Sequence, residues 1–170
     1  MCIRDRPGTD GALAMSIINH IIYNDLVDKD YVKNHTNGYD ELKDHVKGKN
    51  AEWASSITGI NVEDIEKLST EIAMNQPVGI RIGVALERHH GGGQTIRAVT
   101  CIPALTGAWK YVGGGITQFP VWEHPYKFDV ICRPDLIPKG TRVVNALQLG
   151  RTLLSENIDK DKPIKSMMCW

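Results

Sequence analysis

The sequence has no run of about 18 apolar residues, the length a helix needs to cross a bilayer. It has no net charge either, because 20 Lys and Arg balance 20 Asp and Glu. That balance excludes the global field with which basic proteins collect nucleic acid or anionic membranes. Cysteine is scarce: Cys2, Cys101, Cys132 and Cys169 are all there is. Spacings this wide match no zinc or iron–sulfur ligand pattern, and so few cysteines make no disulfide framework, which leaves ordinary thiols. A Gly-x-Gly-x-x-Gly fingerprint and a Walker-type phosphate loop are both missing, which argues against a generic nucleotide-binding module. No Ser/His/Asp or Cys/His arrangement stands out, so no catalytic residue and no metal ligand is assigned.

What is present is an ordinary globular composition, 42% hydrophobic and 24% charged over 170 residues. A domain near this length buries roughly 70% of its unfolded surface, enough for one core. Both ends read as cuts in a longer protein. Met1-Cys2-Ile3-Arg4-Asp5-Arg6 has no apolar stretch behind its charges and is no secretory signal. It resembles a translated sequencing adapter, so residues 1–5 are expected to be non-native, with Arg6 shared with the true gene. At the other end Pro163 opens an apolar run, as suits the first residue of a strand, and the chain stops inside that run at Trp170.

Between these ends the apolar spacing predicts alternating elements. Leu13, Ile17, Ile18, Ile21 and Ile22 mark a helix ending near Asn24, with Thr9 or Asp10 as its cap. Residues 26–46 read as short helices and loops. Residues 62–74 form a clearer helix, with Asn61 and Asp64 as a capping pair and Ile65, Leu68 and Ile72 as its buried stripe. A buried strand follows at residues 78–83. The glycines at 91–93 turn into a helix carrying Ile96, Val99, Ile102 and Leu105 on one face, which Pro103 should kink or shorten. Gly113-Gly114-Gly115 reads as a loop, residues 116–142 as irregular and residues 141–154 as a capped helix. This alternation predicts an α/β fold, Rossmann-like layers around a mainly parallel sheet.

In such folds ligands bind beyond the carboxyl ends of strands, against helix N-termini. Two places fit. Pro7-Gly8-Thr9-Asp10 opens the first helix. There Gly8 permits close backbone approach, Thr9 offers a hydroxyl and the Asp10 carboxylate can accept two hydrogen bonds from a guanine edge. A plain turn and helix cap would use the same residues. The second place is Ile82-Gly83-Val84-Ala85-Leu86-Glu87-Arg88-His89-His90. Its Arg88 can pair with a phosphate, and the amides of residues 91–93 can line an anion site. His89 and His90 lack ligand spacing and read as structural or solvated side chains rather than metal ligands. The glycines at 113–115 read as a hinge or turn rather than a phosphate loop.

These motifs occur in an order that resembles one family. Arg6-Pro7-Gly8-Thr9-Asp10-Gly11-Ala12-Leu13-Ala14 looks like the cofactor loop of the dimethyl sulfoxide reductase family of molybdopterin oxidoreductases. Ile57-Thr58-Gly59-Ile60 with Glu63-Asp64-Ile65 resembles its helical insert. Gly91-Gly92-Gly93-Gln94-Thr95-Ile96-Arg97-Ala98, Pro103-Ala104-Leu105-Thr106-Gly107 and Gly113-Gly114-Gly115 resemble its glycine-rich helix and loop. Asn145-Ala146-Leu147-Gln148-Leu149-Gly150-Arg151 and Pro163-Ile164-Lys165 resemble the segment before its next strand. The resemblance is collinear over residues 6–170. It implies part of a multidomain catalytic subunit that binds bis(molybdopterin guanine dinucleotide). By that analogy Gly8, Thr9 and Asp10 hold a guanosine end, while Ile82, Gly83, Leu86, Glu87 and Arg88 lie near a pterin or its pyrophosphate. It also implies a small-molecule substrate, an iron–sulfur cluster upstream of this stretch, and an iron–sulfur electron-transfer subunit as partner. The alternative it leaves open is a non-catalytic electron-transfer subunit of the same fold, like that of respiratory NADH dehydrogenase.

Overall fold

The computed structural model describes residues 6–118, 127–154 and 164–167. They fall into two compact units divided after His124.

The first unit is organised around one helix, α1 (Asp10–Tyr23). Its residues Ala14, Ile17, Ile18, Ile21 and Ile22 recur at helical spacing and are all buried. Fully burying one such isoleucine contributes about 1.5–3 kcal/mol, so this stripe anchors the unit. α1 packs against α4 (Ala51–Thr58), α5 (Val62–Met74) and α6 (Gly92–Thr106). The short helices α2 (Lys29–His35) and α3 (Tyr39–His45) occupy the stretch read as short helices and loops. Val32, Val46, Ala98, Ile102 and Leu105 complete the main core.

α1 and α6 run in the same direction. Near their starts, a methyl built at Gly11 would lie 2.9 Å from Thr95 Oγ1. Near their other ends, the amide of Asp28, which follows α1, donates to the carbonyl of Leu105 in α6 at 2.8 Å. That bond satisfies a carbonyl in the last turn of α6, where helix carbonyls lack internal partners. Pro103 does not shorten α6, which continues to Thr106 with Ile102 and Leu105 buried on either side of the proline.

The strands are smaller than expected. β1 (Gly79–Arg81) pairs in parallel with β2 (Gly115–Thr117), Ile80 opposite Ile116. Among the described residues this is the whole sheet, and the unit is mainly helical. The pairing is parallel, as expected, but three-residue strands cannot separate two helix layers. The buried strand expected at residues 78–83 is correspondingly short and half open, and only Ile82, just past it, is deeply buried. Gly115 also departs from the expected loop, since it begins β2.

Local capping departs from the sequence reading too. Thr9 and Asn61 hold the N-cap positions of α1 and α5, yet neither side chain caps its helix. Thr9 turns its hydroxyl back to donate to the Arg6 carbonyl at 2.6 Å. On α5 the buried line is Ile65 and Ser69 rather than Ile65 and Leu68, and Leu68 is exposed. Ser69 tolerates burial because its hydroxyl donates to the Ile65 carbonyl at 2.7 Å.

The second unit contains α7 (Phe128–Cys132), α8 (Leu149–Leu153) and 3-10 turns at Pro134–Leu136 and Ala146–Gln148. The helix expected over residues 141–154 is confined to its last residues. Of the described residues in this unit Thr152 is buried, while Val130, Ile131, Leu136, Ile137, Val143 and Leu147 are exposed. A helix needs a buried face to persist, and most of residues 141–148 lack one here. Ile164, Lys165, Ser166 and Met167 carry no regular structure, and the rest of the expected terminal strand lies outside the described residues, as do residues 1–5. Among the described residues no helix is long and apolar enough to cross a membrane.

Candidate functional site

Two segments distant in sequence meet at the N-terminal ends of α1 and α6. The first is the turn at Pro7-Gly8-Thr9, which delivers Asp10 as the opening residue of α1. Arg6 anchors this turn. Its amide donates to the Thr58 carbonyl at 2.9 Å, and its guanidinium reaches the carbonyls of Ile57 at 3.2 Å and Ser56 at 3.4 Å. Those carbonyls close α4, and a cation there satisfies orphan acceptors and complements the helix dipole. The Thr9 hydroxyl, bound to the Arg6 carbonyl, then tightens the turn over Gly8, whose φ is +81°. Only glycine adopts that backbone readily.

The second segment leaves the carboxyl end of β1. The Ile82 amide still donates to the Thr117 carbonyl at 2.8 Å. Gly83 follows, where an added methyl would meet nothing within 4 Å. A 3-10 turn at Leu86–Arg88 comes next, then His89, His90 and the left-handed Gly91 that precedes α6. The start of α6 lies directly on this turn. A methyl on Gly92 would strike the Leu86 carbonyl and the Glu87 backbone, so glycine is required there for packing.

His89 joins the two segments. A methyl built on Gly8 would sit 3.0 Å from His89 Nδ1 and 3.3 Å from Cε1, so the imidazole occupies the space a side chain would take. Of the two roles left open for His89, structural or solvated, the packing favours the structural one: the residue is exposed overall, but its ring lies against Gly8 of the Pro7–Asp10 turn. Nothing in its spacing pointed to this. The missing signal was three-dimensional, namely that α1 and α6 are neighbours.

The result is a pair of helix N-termini side by side beyond the carboxyl end of a parallel strand. Each N-terminus presents free amides and about half a positive charge, a favourable place for phosphate. Asp10 is half-buried there, and among the described residues its carboxylate has no hydrogen bond or ion pair. Glu87 and Arg88 are both exposed, and no ion pair joins them. Of the residues singled out from sequence, the structure brings Gly8, Thr9 and Asp10 to the end of α1, and Ile82, Gly83, Leu86, Glu87 and Arg88 onto the stretch between β1 and α6. Arg6, which anchors the turn, was not among them, and His89 was singled out only as a poor candidate for a metal ligand.

A second polar cluster fastens the opposite end of the α1–α6 pair. Asp28 caps α2 by accepting from the Tyr31 amide at 2.9 Å and also accepts from Lys110. The Lys110 bond, followed by the Tyr31 amide, lowers the Asp28 pKa below the usual carboxylate range, and Asp28 in turn raises that of Lys110. Lys110 also stands 5.7 Å above the Tyr31 ring. Burial raises the Cys101 thiol, with Arg97 opposing, which keeps it a poor nucleophile.

The sequence matches known proteins over nearly the whole chain. The Bacillus subtilis probable oxidoreductase YoaE is 38% identical over 97% of this chain. The Escherichia coli dimethyl sulfoxide reductase DmsA is 34% identical over 97%. The chain belongs to the dimethyl sulfoxide reductase family. Among solved structures, acetylene hydratase from Pelobacter acetylenicus superposes with a TM-score of 0.61 and 32% identity over 65% of this chain, and 15% of its own. No protein-family model matches. The chain spans 24% of the length of YoaE and of DmsA, about a quarter of each relative.

Proposed function

We propose that this chain is an internal stretch of a molybdenum-dependent oxidoreductase catalytic subunit, in which residues 6–170 help bind bis(molybdopterin guanine dinucleotide). The convergence of Gly8 and His89 carries this reading. Gly8 meets His89, the residue that follows the Ile82–Arg88 segment, and this supports a shared site where two helix N-termini favour phosphate. The residues present suit such a group. Asp10 offers an unengaged acceptor pair to the donor edge of guanine, and Arg88 offers a bidentate donor to a phosphate. Space is available too, since added methyls at Gly83, Gly91 and Gly93 would meet nothing within 4 Å. When bound, the cofactor supplies the redox chemistry, while the chain binds and orients its ends. On this reading the two-stranded pair belongs to a larger, mainly parallel Rossmann-like sheet in the whole protein. The substrate is a small molecule, and electrons pass through an iron–sulfur cluster and partner subunit outside this stretch.

The test is Asp10→Asn in the complete polypeptide, with bound guanine nucleotide measured per chain after gel filtration. Losing a hydrogen-bonded charge should weaken retention by about 1–3 kcal/mol. Undiminished guanine nucleotide would refute the assignment of Asp10 to the cofactor.

A further inference from the structure

We infer that His89 is a positioning residue, setting the register between the two segments that hold the proposed cofactor. The inference rests on that reading of the site. Three observations carry it. First, the backbone of His89 is tied at both sides: its amide donates to the Leu86 carbonyl at 3.4 Å, and its carbonyl accepts from the Gly92 amide at 2.9 Å. Its position is thereby fixed relative to the 3-10 turn at Leu86–Arg88 and to the first turn of α6. Second, its ring fills the space beside Gly8, with Nδ1 3.0 Å and Cγ 3.4 Å from where a methyl would stand. Third, the Gly8 turn is itself held from behind by Arg6 on the end of α4 and by the Thr9 hydroxyl. The turn is therefore tied to α4 through Arg6 and also meets the His89 imidazole at Gly8. Only two residues beyond Gly8 stands Asp10, so a shift of the turn displaces the carboxylate proposed to read guanine. Geometry held to within about 0.5 Å is what such a site needs from its supporting groups.

A flat ring explains the pairing of residue types. Glycine at position 8 leaves room for the ring, since a methyl there would lie 3.0 to 3.4 Å from three of its atoms. Smaller side chains at 89 would leave the turn free to move toward the gap. Larger residues at 8 would push the ring away.

The experiment uses the complete polypeptide and four variants: His89→Ala, His89→Phe, Gly8→Ala and the double variant Gly8→Ala with His89→Ala. Guanine nucleotide released by acid from gel-filtered protein is measured per chain over time, alongside the thermal midpoint. His89→Ala should lose nucleotide about tenfold faster, the lower end of what supporting residues around a bound group contribute, with the midpoint unchanged. His89→Phe keeps a ring over Gly8 and should hold nucleotide nearly as the parent does. The double variant should lose less than the two single effects combined, because the methyl no longer meets the ring. Parent-like retention in His89→Ala, with Asp10→Asn impaired, overturns the role of His89 and leaves the cofactor site standing. A midpoint falling in step with retention, unrescued by phenylalanine, makes His89 merely structural and also overturns it. Absence of guanine nucleotide from the parent protein overturns both the site and the inference.

Discussion

Replacing Gly107 with alanine should open the joint between α2 and the end of α6, and the structure sets the size of the effect. Gly107 closes α6 at φ +65°, a left-handed conformation. For alanine that conformation costs roughly 1–2 kcal/mol. The new methyl would also lie 2.5 Å from Asp28 Oδ2, 3.1 Å from Cγ and 3.3 Å from Cβ. Asp28 cannot simply swing aside, because its amide is bound to the Leu105 carbonyl and even its Cβ is crowded. Displacing it breaks the cap on the Tyr31 amide, worth about 1 kcal/mol. The bond to Lys110 goes as well, though solvent screens that exposed ammonium. Gly113→Ala is the matched control. Its φ is +85°, yet a methyl there meets nothing within 4 Å, so it carries the backbone cost alone. Hydrogen exchange of the Asp28 and Tyr31 amides, followed in the complete polypeptide, reads the local opening free energy directly. Gly107→Ala should speed exchange at these amides by roughly tenfold more than Gly113→Ala does at its own loop, as a difference of about 1.4 kcal/mol requires. Equal effects of the two variants would refute the claim that Asp28 is locked against Gly107.

The same joint should respond to acid. The pKa of Asp28 is depressed in the folded state, so its contribution is fully present above the unfolded value near 3.9 and disappears as pH falls through the lower folded value. Protection of the Tyr31 amide, corrected for intrinsic exchange, should therefore hold from pH 7 to about 5 and fall below about 4. The loss should be absent in Asp28→Asn, and an unchanged acid response in that variant would assign it elsewhere. Ser16 offers a stabilising substitution. It is fully buried on α1, and its hydroxyl has no hydrogen-bond partner. Ser16→Ala removes an unsatisfied polar group and improves helix propensity, so α1 amides should exchange more slowly by about 1 kcal/mol. Faster exchange would mean that the hydroxyl is satisfied in the working protein.

Local periodicity in the sequence determined the helices that carry their own apolar stripe. The spacing of Ile17, Ile18, Ile21 and Ile22 defined α1, and residues 62–74 were delimited as α5 actually runs. Motif order also determined the family, because Pro7-Gly8-Thr9-Asp10 and the glycine-rich stretch at 91–93 occur in sequence whatever the tertiary arrangement. Tertiary structure alone decided that α1 and α6 lie in parallel with their N-termini adjacent. It thereby decided that Gly8 meets His89, since a contact between distant segments leaves no local spacing to read. It decided that Thr9 bonds backward to Arg6 rather than capping its helix, because Arg6 is pinned to α4. It also decided how little sheet these residues make. A strand's length depends on the neighbours that pair with it, and β1 and β2 have only each other among the described residues. The helix expected over residues 141–154 failed for a related reason, since most of it has no buried face in its own unit to hold it.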